Sequence, residues 1–400
     1  MAGALDGIRV IDITTILLGP YGTQLLGDMG ADVIKVEAPP KGDSTRHLGK
    51  NRSPGMGGPF LNMNRNKRSI CLDLKQEAAK EALRKLILSA DVLVHNMRPQ
   101  AIARLGFAYE DVAALKPDIV YCGCYGFSQD GPYADRPAYD DLIQAACGLV
   151  DVFRSTAGQP LFAPTVMADK TTGLMMSQAI AMALLHRERT GEGQFVEVPM
   201  FETMVSFLMT EHIYEHAFDP PLGPLGYARL TTPHRRPHQS SDGYVCVLPY
   251  TDKQWASFFE IAGRPEMIDD PRFENHTTRN EHIADIYALV GEIVRGKTTA
   301  EWERLCHEAQ IPVSAVLSLQ EVFENEHAEA VGLFQKHHHP TEGDVVITKP
   351  PVKMSKSPPS IRRQAPRLGE HGEELLRELG YDAEELSRLQ ASGAMVPGNE

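Results

Sequence analysis

Asp169, in the stretch PTVMADKTTGLMMSQAIAMALLHRERTGEGQ, is the residue of this chain best placed to do chemistry. Thr171, Thr172, Gly173 and a long apolar run follow it, and no other acid precedes it back to Asp151. The pattern places it one turn ahead of a long helix, Thr172 to Arg187, which the turn TGEG closes. A carboxylate at a helix start is held ionised by the free N–H groups and the dipole of the first turn. Its oxygens stay open to whatever docks over that helix end, so it can act as a nucleophile towards a thioester or another activated acyl group. The same placement suits a helix N-cap, the commoner use of such an Asp.

Other reactive-looking clusters are weaker. NRNKRS, Asn64 to Ser69, brings Arg65, Lys67 and Arg68 together, as phosphate ligands or as a solvated turn. HRRPH holds His234, Arg235, Arg236 and His238, facing either a cleft or solvent. His337, His338 and His339 lack helical or zinc-type spacing and read as surface loop, so no metal is expected. Gly19, Gly22, Gly27 and Gly30, with Glu37 closing the next strand, imitate a dinucleotide fingerprint. Pro20 and Tyr21 after Gly19 break the G-x-G-x-x-G spacing, so tight approach to a pyrophosphate is not encoded. There is no G-x-S-x-G elbow and no phosphate-binding G-x-x-x-x-G-K-[ST] loop.

The elements that must position these residues alternate. Ile8 to Ile13, Val33 to Val36, Ser69 to Leu74, Val92 to His95, Ile119 to Tyr125 and Phe195 to Val198 read as strands. Tyr21 to Met29 and Glu77 to Ser89 read as helices between them. That alternation specifies an α/β domain with a mainly parallel sheet. The expected division is a large domain over 1–218, a Pro- and Gly-rich linker over 219–240 and a small α/β domain over 241–336. A second linker over 337–359 and C-terminal helices over 360–400, returning to the large domain, complete it. Within the small domain, Tyr244 to Leu248 reads as strand, and Gln254 to Ala262, Arg279 to Val294 and Thr299 to Ala309 as helices.

Composition sets the outer limits. Four hundred residues, 42% apolar and 23% charged, describe a globular chain with ample material for a core. The net charge of −13 repels phosphate-rich polymers, so nucleic acid is not an expected partner. An anionic small molecule would require a local basic patch. The six cysteines are scattered, and Cys122 and Cys124 alternate as one face of a buried strand. With no leader pattern and no membrane-length apolar run, a reducing cytoplasm is the expected location.

Taken in order, nine segments resemble the class III CoA-transferase family, which includes formyl-CoA transferase and carnitine CoA-transferases. They are GIRVIDIT with GPYGTQLLGDMGADVIKVEAP, then GDSTR, NRNKRSICLDLK, ADVLVHNMRP, RLGF, GFSQDGPYADRPAYD, MADKTTG, RTGEGQFVEV and LGEH. The resemblance runs almost end to end and implies a Rossmann-like large domain. It implies that Asp169 is the nucleophile and that Leu72, Asp73, Leu74, Lys75, Asn96, Met97, Arg98, Arg104 and Tyr139 bind CoA. It further implies covalent transfer through a mixed anhydride and an aspartyl-CoA thioester, with acyl-CoA as substrate and no permanently bound cofactor. Family members form interlocked homodimers whose active site lies between domains at the subunit interface, so a homodimer with an inactive monomer is expected.

Departures from the pattern bear on substrate. Leu17 stands where formyl-CoA transferase has a Gln beside the substrate, Ala38 where it has a CoA-contacting Arg, and Pro137 where it has a CoA-contacting Lys. The glycine-rich tetrad over its active site is missing, with Gly223, Gly226 and Tyr227 as loose substitutes. These differences argue against formyl-CoA and oxalate. Arg46, Arg235 and Arg236 suggest instead a dicarboxylic acid such as succinate. The alternative within the family is α-methylacyl-CoA racemase, but Tyr139 occupies the position of its catalytic His, and a phenol is a poor base near neutrality. A non-catalytic CoA-binding protein and a dehydrogenase built on the first βαβ unit are the readings from other classes.

Overall fold

Short, nearly continuous apolar runs set the central sheet. In chain order the strands are β1 (Arg9–Asp12), β2 (Asp32–Glu37), β3 (Lys67–Leu72), β4 (Val92–His95), β5 (Val120–Tyr125) and β6 (Gln194–Pro199). Then come β7 (His238–Gln239), β8 (Tyr244–Val247), β9 (Val313–Ala315), β10 (Phe334–His339), β11 (Gly343–Thr348) and β12 (Met395–Val396). Val10, Ile11, Val33, Ile34, Val92, Leu93 and Val94 have no exposed surface, as expected of parallel strands covered on both faces. The computed structural model describes residues 2–398; Met1 and the end of the expected C-terminal segment, Asn399 and Glu400, lie outside the described residues.

The sheet order is β12-β3-β2-β1-β4-β5-β6, parallel throughout except for β12, which pairs antiparallel with β3. The fold is therefore α/β with a Rossmann-like, mainly parallel sheet. From β1 the chain builds outward through β2 and β3, then crosses back to start β4 on the other side of β1. The loops after β1 and β4 thus part at a topological switch point, where open α/β sheets leave a crevice at their carboxyl edge.

The helix Glu77–Leu88 buries Ala79, Ala82, Leu83, Leu86 and Ile87 against one face of this sheet. Leu375 and Leu376 of Gly372–Glu378 and Leu386 and Leu389 of Ala383–Ala391 join the same core. Truncating one of these leucines to Ala costs about 2–5 kcal/mol.

The helix carrying Asp169 runs Met167–Thr190, five residues earlier at its start than expected from the sequence. Asp169 is therefore the third residue inside the first turn and not a residue ahead of the helix. Val166 is the N-cap and offers no side-chain bond, so Asp169 is not the cap. Met167 and Ala168 are good helix formers, and no Gly or Pro stands between them and Thr172 to delay nucleation. At the other end Gly191, with φ of 78°, closes the helix in the left-handed conformation.

Two compact units emerge. The first gathers the chain up to Ile143, Thr165–Met204 and everything from His327. The second comprises Gln144–Pro164 and Val205–Glu326. Segments expected in the large domain, 144–164 and 205–218, thus group with the second unit, and the expected linker over 337–359 holds most of the β10–β11 hairpin. The second unit has an antiparallel sheet, β7-β8-β9, over an aromatic core of Trp255, Phe258, Phe259, Phe273 and Trp302. The helix expected over Arg279 to Val294 divides at His282 (φ −104°, ψ 18°) into His276–Glu281 and Ile283–Val294. No helix among the described residues is long and apolar enough to cross a membrane.

Candidate active site

Beneath the crevice lies a fully buried ionic network. Asp12, at the end of β1, accepts from the Thr14 backbone N–H at 2.9 Å, from Thr23 Oγ1 at 2.6 Å and from Lys67 Nζ at 3.0 Å. Lys35 Nζ pairs with Asp43 at 2.9 Å and donates to the Thr14 carbonyl at 2.9 Å. Burial alone pushes the Asp12 carboxyl up, but the Lys67 and Lys35 ammonium groups and the two threonine hydroxyls together hold it well below the usual carboxylate range.

This network fixes the loop after β1. Ile16 is held at φ 73°, a left-handed conformation that costs a β-branched residue about 1–3 kcal/mol. Its N–H is aimed between the two Asp43 oxygens, at 3.2 and 3.3 Å. Asn96, after β4, ties the two sides of the switch point together. Its Oδ1 accepts from the Thr15 N–H at 3.0 Å and its Nδ2 donates to the Thr15 carbonyl at 2.9 Å.

Asp169 reaches the same crevice because two helices touch through glycine. A Cβ on Gly173 would stand 2.7 Å from the Leu18 carbonyl oxygen, and one on Gly22 would stand 2.7 Å from the Gly173 carbonyl oxygen. Only glycines permit that approach of the helices Leu18–Asp28 and Met167–Thr190. The Asp169 N–H donates to Asp140 Oδ1 at 2.9 Å. Burial first, and then the Asp140 charge, push the Asp169 carboxyl up to about 7. The expectation that the helix start would hold it firmly ionised is corrected: loss of water and a neighbouring acid outweigh the dipole.

The resulting cavity of about 290 Å³ is lined by Ile16, Leu17, Asn96, Met97, Arg98, Arg136, Tyr139 and Asp169, among others. Five of the ten site residues expected from sequence, Asn96, Met97, Arg98, Tyr139 and Asp169, are therefore brought together here. The others are not part of this lining. Leu72 is fully buried in the core and Leu74 packs against it. Asp73 accepts from the Lys75 N–H at 3.2 Å and from Gln76 Nε2 at 3.1 Å, leaving the Lys75 side chain exposed. Arg104 is exposed on the helix Pro99–Leu105, with Nε bonded to its own Gln100 carbonyl at 3.1 Å. Because β1 to β5 are parallel, the loop holding Leu72 to Lys75 opens on the same edge of the sheet as the cavity.

Several basic residues have other roles than the sequence suggested. Arg65 is buried against Asp28 at 2.7 Å, Lys67 against Asp12 at 3.0 Å, and Arg68 against Asp32 and Glu378 at 2.6 Å each. NRNKRS is thus neither a solvated turn nor a phosphate ligand. Arg46 is 1% exposed, grips Glu37 through two bonds of 2.8 and 2.7 Å, and lies 3.7 Å over the Phe60 ring. It is not available to a substrate carboxylate. Arg236, with His234, His238 and Arg295, lines a separate cavity of about 300 Å³ within the second unit. His337 to His339 lie on β10, and His339 is buried with Nε2 2.8 Å from the Ala365 carbonyl.

Sequence reasoning missed Ile16, Arg136 and Asp140 as site residues. Arg136 and Asp140 stand inside the segment ADRPAYD, on either side of Tyr139, where their charge was the available signal. Ile16 gave none, since an aliphatic residue in a strand-to-helix turn carries no mark of a positive φ.

The family model for CoA-transferase family III matches residues 5–372. This chain belongs to CoA-transferase family III. Succinyl-CoA:glutarate CoA-transferase of Mus musculus is 32% identical over 397 residues, 98% of this chain and 90% of that protein. Acetyl-CoA:oxalate CoA-transferase of Acetobacter aceti is 34% identical over 389 residues, covering 94% and 96%. The crystal structure of a CAIB/BAIF family protein from Brucella suis matches with a TM-score of 0.80 at 30% identity, covering 95% of this chain and 100% of that one. Membership of CoA-transferase family III makes this chain an enzyme of the CoA-transferase class, with the α/β architecture described above as its scaffold.

Proposed function

We propose that the enzyme moves CoA from an acyl-CoA donor to a carboxylic acid acceptor with Asp169 as covalent nucleophile. The observation that carries this reading is the position of Asp169: it is the one carboxylate among the described residues lining a cavity at the switch point of the sheet. A carboxyl pushed up to about 7 is ionised in good part at neutral pH, and in that form it is more basic and less solvated than a surface carboxylate.

In the first step an Asp169 oxygen attacks the thioester carbonyl, and the C–S bond breaks to give a mixed anhydride and CoA thiolate. The thiolate attacks the aspartyl carbonyl of the anhydride, and the donor acid leaves as carboxylate. The acceptor carboxylate attacks the resulting aspartyl-CoA thioester and again releases the thiolate. Attack of the thiolate on the acceptor's acyl carbon forms the new acyl-CoA and returns Asp169. Acyl-CoA enters as substrate, and none of these steps draws on a resident cofactor.

Asn96, Met97, Arg98 and Tyr139 are proposed to hold the CoA arm, with Leu72, Asp73, Leu74, Lys75 and Arg104 along the same sheet edge. The exposed cations Lys75, Arg98 and Arg104 offer charge to its phosphates. Arg136 in the Asp169 cavity supports a dicarboxylic acid such as succinate, whose distal carboxylate it can pair. Relatives named for succinyl-CoA with glutarate favour the same class. No histidine is found among the described lining residues, which supports transfer over α-proton exchange.

A homodimer is part of the proposal. Leu174, Met175, Met182 and Leu185 are 43–56% exposed and fall within about 100° of the circumference of the Asp169 helix. Sedimentation of the wild type and of a Met182→Glu/Leu185→Glu variant tests it: a stable, active wild-type monomer would defeat the idea.

The deciding experiment is intact-protein mass after mixing with a panel of acyl-CoAs, with peptide mapping and an Asp169→Asn control. A hydroxylamine-sensitive acyl or CoA adduct on Asp169 is expected. Absence of any adduct, together with deuterium exchange at the acyl α-carbon, would replace transfer by racemisation.

A further inference from the structure

Arg367 is an exception among the described buried polar side chains. Its Nε is the one buried side-chain polar atom with no hydrogen-bond partner among the described residues. Orphaned buried donors are rare in folded proteins and point to a ligand or solvent partner. The Arg367 backbone N–H is bonded to Glu370 Oε2 at 2.7 Å, but its guanidinium makes no ion pair among the described residues.

The side chain lines a cavity of about 320 Å³ together with Lys41, Arg46, His47, Ser53 and Thr341. The Lys41 ammonium likewise has no ion pair among the described residues. His47 has Nε2 3.0 Å from the Lys41 carbonyl, which leaves Nδ1 for another partner. Nearby acids are already engaged. Glu37 is matched by Arg46 at 2.7 Å. Glu342 accepts from the Ser53 N–H at 3.1 Å and from Thr341 Oγ1 at 2.9 Å, and Glu370 is the exposed acceptor of the Arg367 N–H. Two uncompensated cations and an imidazole therefore line one cavity in a chain of net charge −13. Like charges so gathered repel one another until an anion comes between them.

The cavity adjoins the Asp169 crevice. Asp43, which holds the Ile16 N–H, is two residues after Lys41 and four before His47, and Ile16 lines the crevice. At no more than ~3.5 Å per residue, the backbones of Lys41 and His47 lie within about 7 and 14 Å of Asp43. That is within the span of an extended CoA molecule.

We infer that Lys41, His47 and Arg367 form a phosphate-monoester site beside the active-site crevice. Its ligand is either the 3′-phosphate of the CoA bound at Asp169 or a free phosphate ion. The first source rests on the CoA-transferase reading; the second does not.

The test compares an acyl-CoA donor with its 3′-dephospho analogue in the wild type, Lys41→Gln, Arg367→Gln and Arg367→Lys. Calorimetric titration of each full-length protein with inorganic phosphate runs alongside, and melting curves confirm that each variant is folded. If the 3′-phosphate is the ligand, KM for the dephospho donor exceeds that for the intact donor by about tenfold in the wild type. That ratio then falls to near one in both Gln variants at unchanged kcat and is partly restored by Arg367→Lys. If free phosphate is the ligand, the wild type binds it, both Gln variants bind it about tenfold more weakly, and the KM ratio stays the same in all proteins. No phosphate binding together with an unchanged ratio in both Gln variants overturns the site. A wild type inert to every acyl-CoA sinks the transferase reading instead, and the titration then decides the site alone.

Discussion

The backbone N–H of Asp169 donates to Oδ1 of Asp140 across 2.9 Å, so the residue proposed to carry the acyl group is anchored by a second carboxylate. Burial and then this neighbour push the Asp169 carboxyl up to about 7. Only the ionised form attacks a thioester, so kcat/KM is expected to rise with pH through about 7 and level off above it. Asp140→Asn keeps an acceptor oxygen and removes the charge, which moves the rise to lower pH. Because burial is the larger cause, the move is partial. A pH–rate profile that does not shift would show that the Asp140 charge is not felt at Asp169.

Asp169→Asn is expected to abolish transfer and to stabilise the fold, increasingly as pH rises. The folded-state value of about 7 exceeds the ordinary 3.8, so the folded state favours the protonated acid. Stability is full below the ordinary value and is lost as pH climbs to about 7, where the buried carboxylate ionises. Removing the acid relieves that loss at pH 8, by on the order of 1–3 kcal/mol after allowance for partial solvent access. Urea unfolding of both proteins at roughly pH 3.5 and roughly pH 8, on either side of the window, measures it.

Arg46→Gln is expected to act on stability and not on substrate choice. It leaves the buried Glu37 carboxylate without its two-bond partner, a loss of about 3–5 kcal/mol. Relative rates with dicarboxylic and monocarboxylic acceptors should stay unchanged in whatever fraction remains folded. A selective loss of dicarboxylic acceptors would return Arg46 to the substrate site.

Asn96→Ala removes both bonds to the Thr15 backbone. At about 1 kcal/mol each, the direct loss is about 2 kcal/mol. The strained turn at Ile16 loses its lateral support, so kcat/KM should fall further than stability alone explains. Asn96→Asp keeps the acceptor and should lie between the two. Equal falls in both variants would place the whole effect on the Thr15 carbonyl bond.

What the sequence disclosed followed from locality. Val92 to His95 is legible to the residue because a short apolar run between turns has few other uses. The resemblance marked Asp169, Asn96 and Tyr139, which the fold then gathers in one cavity. Long-range pairing was not legible. Arg68 reads as a surface cation because Glu374 and Glu378 lie more than three hundred residues away. Arg46 reads as substrate-facing until the fold brings Glu37 and Phe60 around it. The helix start at Met167 is not legible, because neither a capping side chain nor a proline in the first turn marks it. β12, two residues long, is strand only because β3 offers it an edge.

That last strand has a consequence for biosynthesis. β3 leaves the ribosome more than three hundred residues ahead of Met395 and Val396, which pair with Leu72 and Cys71. At ~5–20 residues per second, the edge of β3 waits tens of seconds for its cover. During that interval a nascent chain holds an unpaired strand of the kind that recruits other strands. Shielding of that edge during synthesis therefore matters to the yield of folded enzyme.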